Sequence, residues 1–212
     1  MKGNKIFNIE HINADVFSVL QLTTKIGWKE TRELSILRIL YLSSLLYTFR
    51  YPTKNNPFED DYEFTVDYSR GPFNDKIVNN SITWLLVNEI IRQNDDSKSY
   101  SLLERKIPYL EQIPNYVLKK DWIEVIVYIL GIYGEESIYD FIFRDPEYSD
   151  NVARQSTKTL NISESNKTIE KLNEFQRAFI KVLGDKAKEL TDKDYLEMYF
   201  EYVFSKYLKG EK

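Results

Sequence analysis

Tyr62-Glu63-Phe64-Thr65-Val66-Asp67-Tyr68, followed at once by Ser69-Arg70-Gly71-Pro72-Phe73, is the stretch that decides the expected fold. Tyr62, Phe64, Val66 and Tyr68 alternate with polar residues, which is the period of a half-buried strand, and Gly71-Pro72 stops the run. Upstream lies the turn-rich Tyr51-Pro52-Thr53-Lys54-Asn55-Asn56-Pro57. Before that, Glu30 to Phe49 sets Leu34, Leu37, Tyr41 and Leu45 at three- and four-residue steps, with Ile36, Leu40 and Leu46 widening the stripe. This predicts a buried central helix. Ala14 to Ile26, with Asn13 as its cap and Gly27 just past its end, predicts a shorter helix ahead of it.

Downstream of the strand, Pro72 has the fixed φ that opens a helix, and Asn79-Asn80-Ser81 reads as a turn with a fresh cap. A short helix at Asn74 to Val78 and a longer one from Ile82 to Arg92 are therefore expected. Asn94-Asp95-Asp96-Ser97 is a turn, and Tyr100 to Ile107 supplies one or two short strands. From residue 30 the order is helix, strand, helix, turn, helix, strand hairpin, the order of a winged helix-turn-helix. The expected fold class is mostly α: a winged helix-turn-helix with a small β wing over residues 1–110, then a C-terminal helical extension over 111–212.

In the extension, Val117 to Ile132 and Ser137 to Phe143 have helical periodicity, and 145–168 reads as a long loop. Two helices follow, striped by Leu172, Phe175, Phe179 and Val182, and by Leu196, Phe200, Val203 and Tyr207. The last also carries Tyr195, Tyr199 and Tyr202 on an adjoining face, which either packs internally or serves as a partner groove. These three tyrosines and Trp84 are the partner-interface candidates.

The chain of 212 residues is long enough to bury a sizeable core. It contains no cysteine, and no signal peptide is visible, so disulfides and thiolate chemistry are excluded and a reducing cytoplasm is expected. Leu34 to Phe49 is interrupted by Arg38, Ser43 and Ser44 and falls short of the ~20 residues a bilayer requires, so no membrane association is expected. The net charge of −4 argues against a free-standing nucleic-acid binder, because neutralised phosphates supply most such affinity. Aromatic content of 15% favours interfaces instead.

His11 is the one histidine, which leaves no base for a serine triad and no set of imidazole ligands; it reads as a surface residue. Neither a Walker A loop nor G-x-G-x-x-G is present. Glu59-Asp60-Asp61, Asp95-Asp96 and Glu135-Glu136 with Asp140 are carboxylate clusters that read as solvated or dipole-complementing. No catalytic residue, metal or cofactor is expected. For the helix-turn-helix, the outward face of the second helix would present Ser81, Trp84, Asn88 and Arg92, a poor surface for reading base edges. Arg70, Lys76, Arg92, Lys98, Arg105 and Lys106 are the DNA-contact candidates, offset by Asp75, Asp95, Asp96 and Glu104.

Leu37-Arg38-Ile39-Leu40-Tyr41-Leu42, Phe64 to Phe73 and Thr83-Trp84-Leu85-Leu86-Val87-Asn88-Glu89-Ile90-Ile91, with Arg144-Asp145-Pro146-Glu147-Tyr148, carry a family likeness. Across most of residues 14 to 208 the chain resembles the middle components of bacterial ABC-three-component systems, including the small subunit of Lamassu-type antiphage complexes. The same rhythm is similar to the Panacea-type antitoxin domain and to tandem winged-helix subunits of condensin-like complexes, although one winged helix is evident here and not two. The resemblance implies a non-enzymatic adaptor joining an SMC-like ATPase to an effector, often a nuclease, with DNA engaged weakly or only within the complex. A winged-helix DNA-binding regulator or antitoxin, and a carboxylate-metal enzyme, are the competing classes.

Overall fold

Asn8 accepts a hydrogen bond from the Glu10 backbone N–H at 3.2 Å and starts α1, Ile9–Lys25, five residues earlier than Ala14. Asn13, the expected cap, is instead buried within that helix. The computed structural model describes residues 8–51, 54–67, 71–73, 75–94, 98–105, 107–143, 145–153, 159–160, 162–163 and 165–208. After α1 comes a two-residue strand, β1 (Thr31–Arg32), and directly from it α2 (Glu33–Arg50). Periodicity cannot reveal a strand that short, which is why the central helix was expected to begin at Glu30.

Helix α2 is the core. Ile36, Leu37, Ile39, Leu40, Tyr41, Leu42, Leu45 and Leu46 are all buried, so apolar side chains leave it in every direction. Its serines satisfy themselves by back-bonding: Ser43 Oγ donates to the Ile39 carbonyl at 2.8 Å and Ser44 Oγ to the Leu40 carbonyl at 2.9 Å.

The decisive alternating run behaves as a strand only in part. Tyr62, Phe64 and Val66 are buried on one face as expected, but β2 is just Thr65–Asp67, paired antiparallel with β3, Gly71–Phe73. Pro72 therefore lies in a strand and does not open a helix, and Tyr68 lies outside the described residues. Helix α3 runs unbroken from Asp75 to Val87, with no turn at Asn79-Asn80-Ser81. Val78, Ile82 and Leu85 are buried at helical spacing while Asn79 and Asn80 face outward, so packing overrides weak local propensity. The helix ends well before Arg92, at a left-handed Glu89 (φ 53°).

Arg92 instead belongs to β4, Ile91–Asn94, which pairs antiparallel with β5, Ser99–Leu102. β1 joins the other side of β5, giving a three-stranded antiparallel sheet of order β1-β5-β4. The expected hairpin is thus real but lies earlier than Tyr100 to Ile107. Helices then follow: α4 (Tyr116–Tyr133), α5 (Glu135–Phe143), α6 (Pro146–Ala153), α7 (Lys167–Leu183) and α8 (Asp192–Leu208). The chain is mostly helical with this small sheet. Helix α6 corrects the expectation of a long loop over 145–168.

Helix α4 lies beyond residue 110, yet it packs on both α1 and α2. Trp122 Nε1 donates to the Ser43 carbonyl of α2 at 2.8 Å, and at Gly131 a Cβ would come within 2.7 Å of Ile26 Cδ1, so the tip of the Ile26 side chain would have to shift. One buried cluster extends from Ile12 to Phe200.

Asp145 ties three helices together. Its Oδ1 accepts from the Tyr148 backbone N–H at 2.9 Å, capping α6, and its Oδ2 accepts from Thr168 Oγ1 at 2.7 Å at the start of α7. Tyr41 OH of α2 donates to the same carboxylate at 3.4 Å. Burial outweighs these hydrogen bonds and pushes the Asp145 carboxyl up to about 6. A folded value above the unfolded ~3.9 means that the stabilising contribution is full below pH ~4 and is lost as pH rises through ~6. Asp145→Asn, which keeps the α6 cap through its amide oxygen, should therefore gain on the parent by on the order of 3 kcal/mol between pH ~4 and ~7, as measured by urea unfolding at each pH.

Candidate interaction surface

The sheet and α3 share one exposed region. Because Val78, Ser81, Ile82 and Leu85 face inward, the outer side of α3 presents Lys76, Asn79, Asn80, Thr83, Trp84, Val87 and Asn88. Ser81 was expected on this face and is instead fully buried. Trp84 is 37% exposed and Val87 77%, with Leu103, exposed just beyond β5, donating its backbone N–H to the Ile90 carbonyl at the same end of α3. Asn88 Nδ2 donates one of its two hydrogens to the Trp84 carbonyl at 2.8 Å, which holds its side chain back along the helix.

The flanking cations are largely engaged. Arg105 pairs with Glu89 at 2.7 Å, and Lys98 lies 3.9 Å from Glu33. Lys76 and Arg92 are exposed on α3 and β4, while Arg70 and Lys106 lie outside the described residues. Of the four described DNA-contact candidates, two already face carboxylates and two are exposed.

Glu135 and Glu136 are not simply solvated either. Arg32, on the N-terminal side of α2, donates its backbone N–H to Glu135 Oε1 at 2.9 Å, so α5 caps α2 across the fold. The Arg32 guanidinium also binds Glu136, holding that carboxyl below the usual range. Around them is a cleft of about 400 Å³ in which Arg32, Arg38 and Lys98 face Glu33, Glu135 and Glu136. Among the described residues, no group of three or more acidic or imidazole side chains is arranged to hold a metal ion.

Asp61 and His11 depart furthest from their sequence readings. Asp61 is buried, and Lys119 Nζ of α4 donates to its Oδ2 at 2.5 Å and to Asp15 Oδ2 of α1 at 2.7 Å. His11 Nδ1 sits 3.2 Å from each Asp61 oxygen, with only 17% of its side chain exposed, so it is not an ordinary surface histidine. The alternation of charge with apolar residues in α4 gave no hint of this, since Lys119 meets partners 58 and 104 positions away.

No family model matches the chain. It likewise matches no curated protein and no solved structure. Among the described residues no helix is long and apolar enough to cross a membrane.

The tyrosine face of α8 is covered mainly from within. Tyr195 and Tyr199 are buried, and α7 lays Phe175 against Tyr199 at 5.9 Å and Phe179 against Tyr195 at 6.3 Å. Tyr202, at 42% exposure, leans on Phe175 at 5.2 Å and still offers surface. Two of the three stripe residues named as interface candidates are therefore part of the α7–α8 aromatic seam. Tyr199→Ala should accordingly destabilise the isolated chain by ~2–4 kcal/mol in chemical denaturation, whereas Tyr202→Ala should cost under ~1.5 kcal/mol.

Proposed function

We propose that this chain is a non-enzymatic adaptor subunit with a winged-helix scaffold, docking a protein partner through the outer side of α3. The connectivity supports the scaffold: in a winged helix, the strand between the first two helices pairs with the hairpin that follows the third. β1, β5 and β4 stand in that relation to α1, α2 and α3, with the β2–β3 hairpin inserted between α2 and α3. The single observation that carries the adaptor reading is the character of α3, which turns Trp84 and Val87 outward where a DNA reader would need arginine, lysine or glutamine.

The resemblance to the middle components of ABC-three-component systems supplies the partner class: an SMC-like ATPase and an effector, with DNA sensed weakly or within the assembled complex in the cytoplasm. The net charge of −4 fits that division of labour, since a shared complex can bring its own cations.

A regulator or antitoxin is the alternative, favoured by exposed Lys76, Asn79 and Asn80 near the start of α3, asparagine being suited to adenine. Two measurements separate them. Trp84→Ala should leave the melting temperature within a few degrees and weaken co-purification with an SMC-like ATPase encoded alongside by ~1–2 kcal/mol. Mobility shift at physiological salt should give duplex-DNA affinity no tighter than ~10⁻⁴–10⁻⁶ M. Nanomolar, sequence-dependent binding that disappears in Asn80→Ala would make the chain a regulator.

A further inference from the structure

The buried cluster between α1 and α4 is out of charge balance. Two carboxylates, Asp15 and Asp61, share one ammonium, Lys119, and all three side chains are almost wholly buried. Tyr62 OH donates to Asp15 Oδ2 at 2.9 Å. The rings of Phe58 and Tyr62 lie 5.0 and 5.8 Å from the ammonium, which steadies the cation without adding countercharge. The titratable groups facing the cluster are His11 and Asp15 from α1, Asp61 and Tyr62 from the loop after α2, and Lys119 from α4. Glu59 and Asp60 of that loop, Asp121 of α4, and Lys76 of α3, which also packs on α1, are exposed.

An excess negative charge in a low-dielectric interior is strongly disfavoured, and the least costly remedy is a bound proton. Asp15 offers the acceptor: its Oδ2 already receives two hydrogen bonds, leaving Oδ1 for a proton. We propose that this cluster is a proton-dependent clasp: the folded chain holds one proton there, on Asp15, and the α1–α4 seam loosens when that proton leaves. Burial pushes the Asp15 carboxyl up from its ordinary value even with Lys119 alongside, in keeping with this. The proton comes from solvent and returns to it, and no other bond is made or broken. In the unfolded chain Asp15 reverts to an ordinary value near ~3.9, so folding takes up the proton at neutral pH and stability falls as pH rises.

Urea unfolding of the full chain and of Asp15→Asn at steps from pH 6 to 9 tests the clasp. One linked proton makes the parent's unfolding constant rise about tenfold per pH unit across the window in which it leaves. Asp15→Asn retains the acceptor without the charge and should lose most of that slope; equal slopes in the two proteins would overturn the proposal. Should Asp15→Asn not fold, the parent decides alone through calorimetric unfolding at pH 7.5 in buffers of different ionisation enthalpy. At that pH Asp145, pushed up to about 6, is already deprotonated in both states and contributes almost nothing. Release of close to one proton supports the clasp, and release close to none refutes it.

Discussion

A helix that is apolar on all sides must be covered on all sides, and α2 imposes that requirement on the rest of the chain. Its buried residues run from Glu33 to Phe49 with few breaks. α1, the β2–β3 hairpin, α4, α5 and α7 each pack on it. A sheet and two helices alone could not enclose such a surface, so residues on both sides of 110 are drawn into one cluster. The extension is held to the first half by burial of α2, the largest favourable contribution in the fold.

Enclosing α2 brings polar groups inside with it, and several are met by specific partners. Asp145 caps α6 and bonds Thr168 near the start of α7 while Tyr41 reaches it from the core helix. Asn166 caps α7 by accepting from the Thr168 N–H at 2.8 Å, and Glu147 Oε2 accepts from the Lys167 N–H at 3.1 Å. Two helix N-termini thus satisfy each other through neighbouring side chains where water is excluded. The Lys119 cluster does the same for α1, the loop after α2 and α4. These networks join α1, α2, α4, α6 and α7, while α3 keeps one side in the core and one side exposed.

What could be read from sequence followed from periodicity. The stripe Leu34, Leu37, Tyr41 and Leu45 announced the buried helix, and Tyr62, Phe64 and Val66 announced a buried face, because burial imposes spacing on contiguous residues. Asn79-Asn80-Ser81 misled, since these residues favour turns locally while Val78, Ile82 and Leu85 keep the helix continuous through tertiary contact. β1 has two residues and no period to detect. Asp61 looked like one member of an exposed acidic run because nothing local marks a partner on α4. The α8 tyrosines left two covers open, and only the placement of Phe175 and Phe179 in space decides between them.

Surface electrostatics bear on what the outer side of α3 and its flanks can meet. Each phosphate contact needs a cation free to release its counterions. Here Lys25 faces Glu124 at 2.6 Å, Arg105 faces Glu89 at 2.7 Å and Arg32 binds Glu136. Exposed pairs of this kind add little stability, but they change what DNA would meet. A phosphate arriving at Arg105 must displace Glu89 and then tolerate that carboxylate nearby, so the site loses much of its electrostatic gain. An apolar partner surface meets no such opposition at Trp84 and Val87, where desolvation itself favours association.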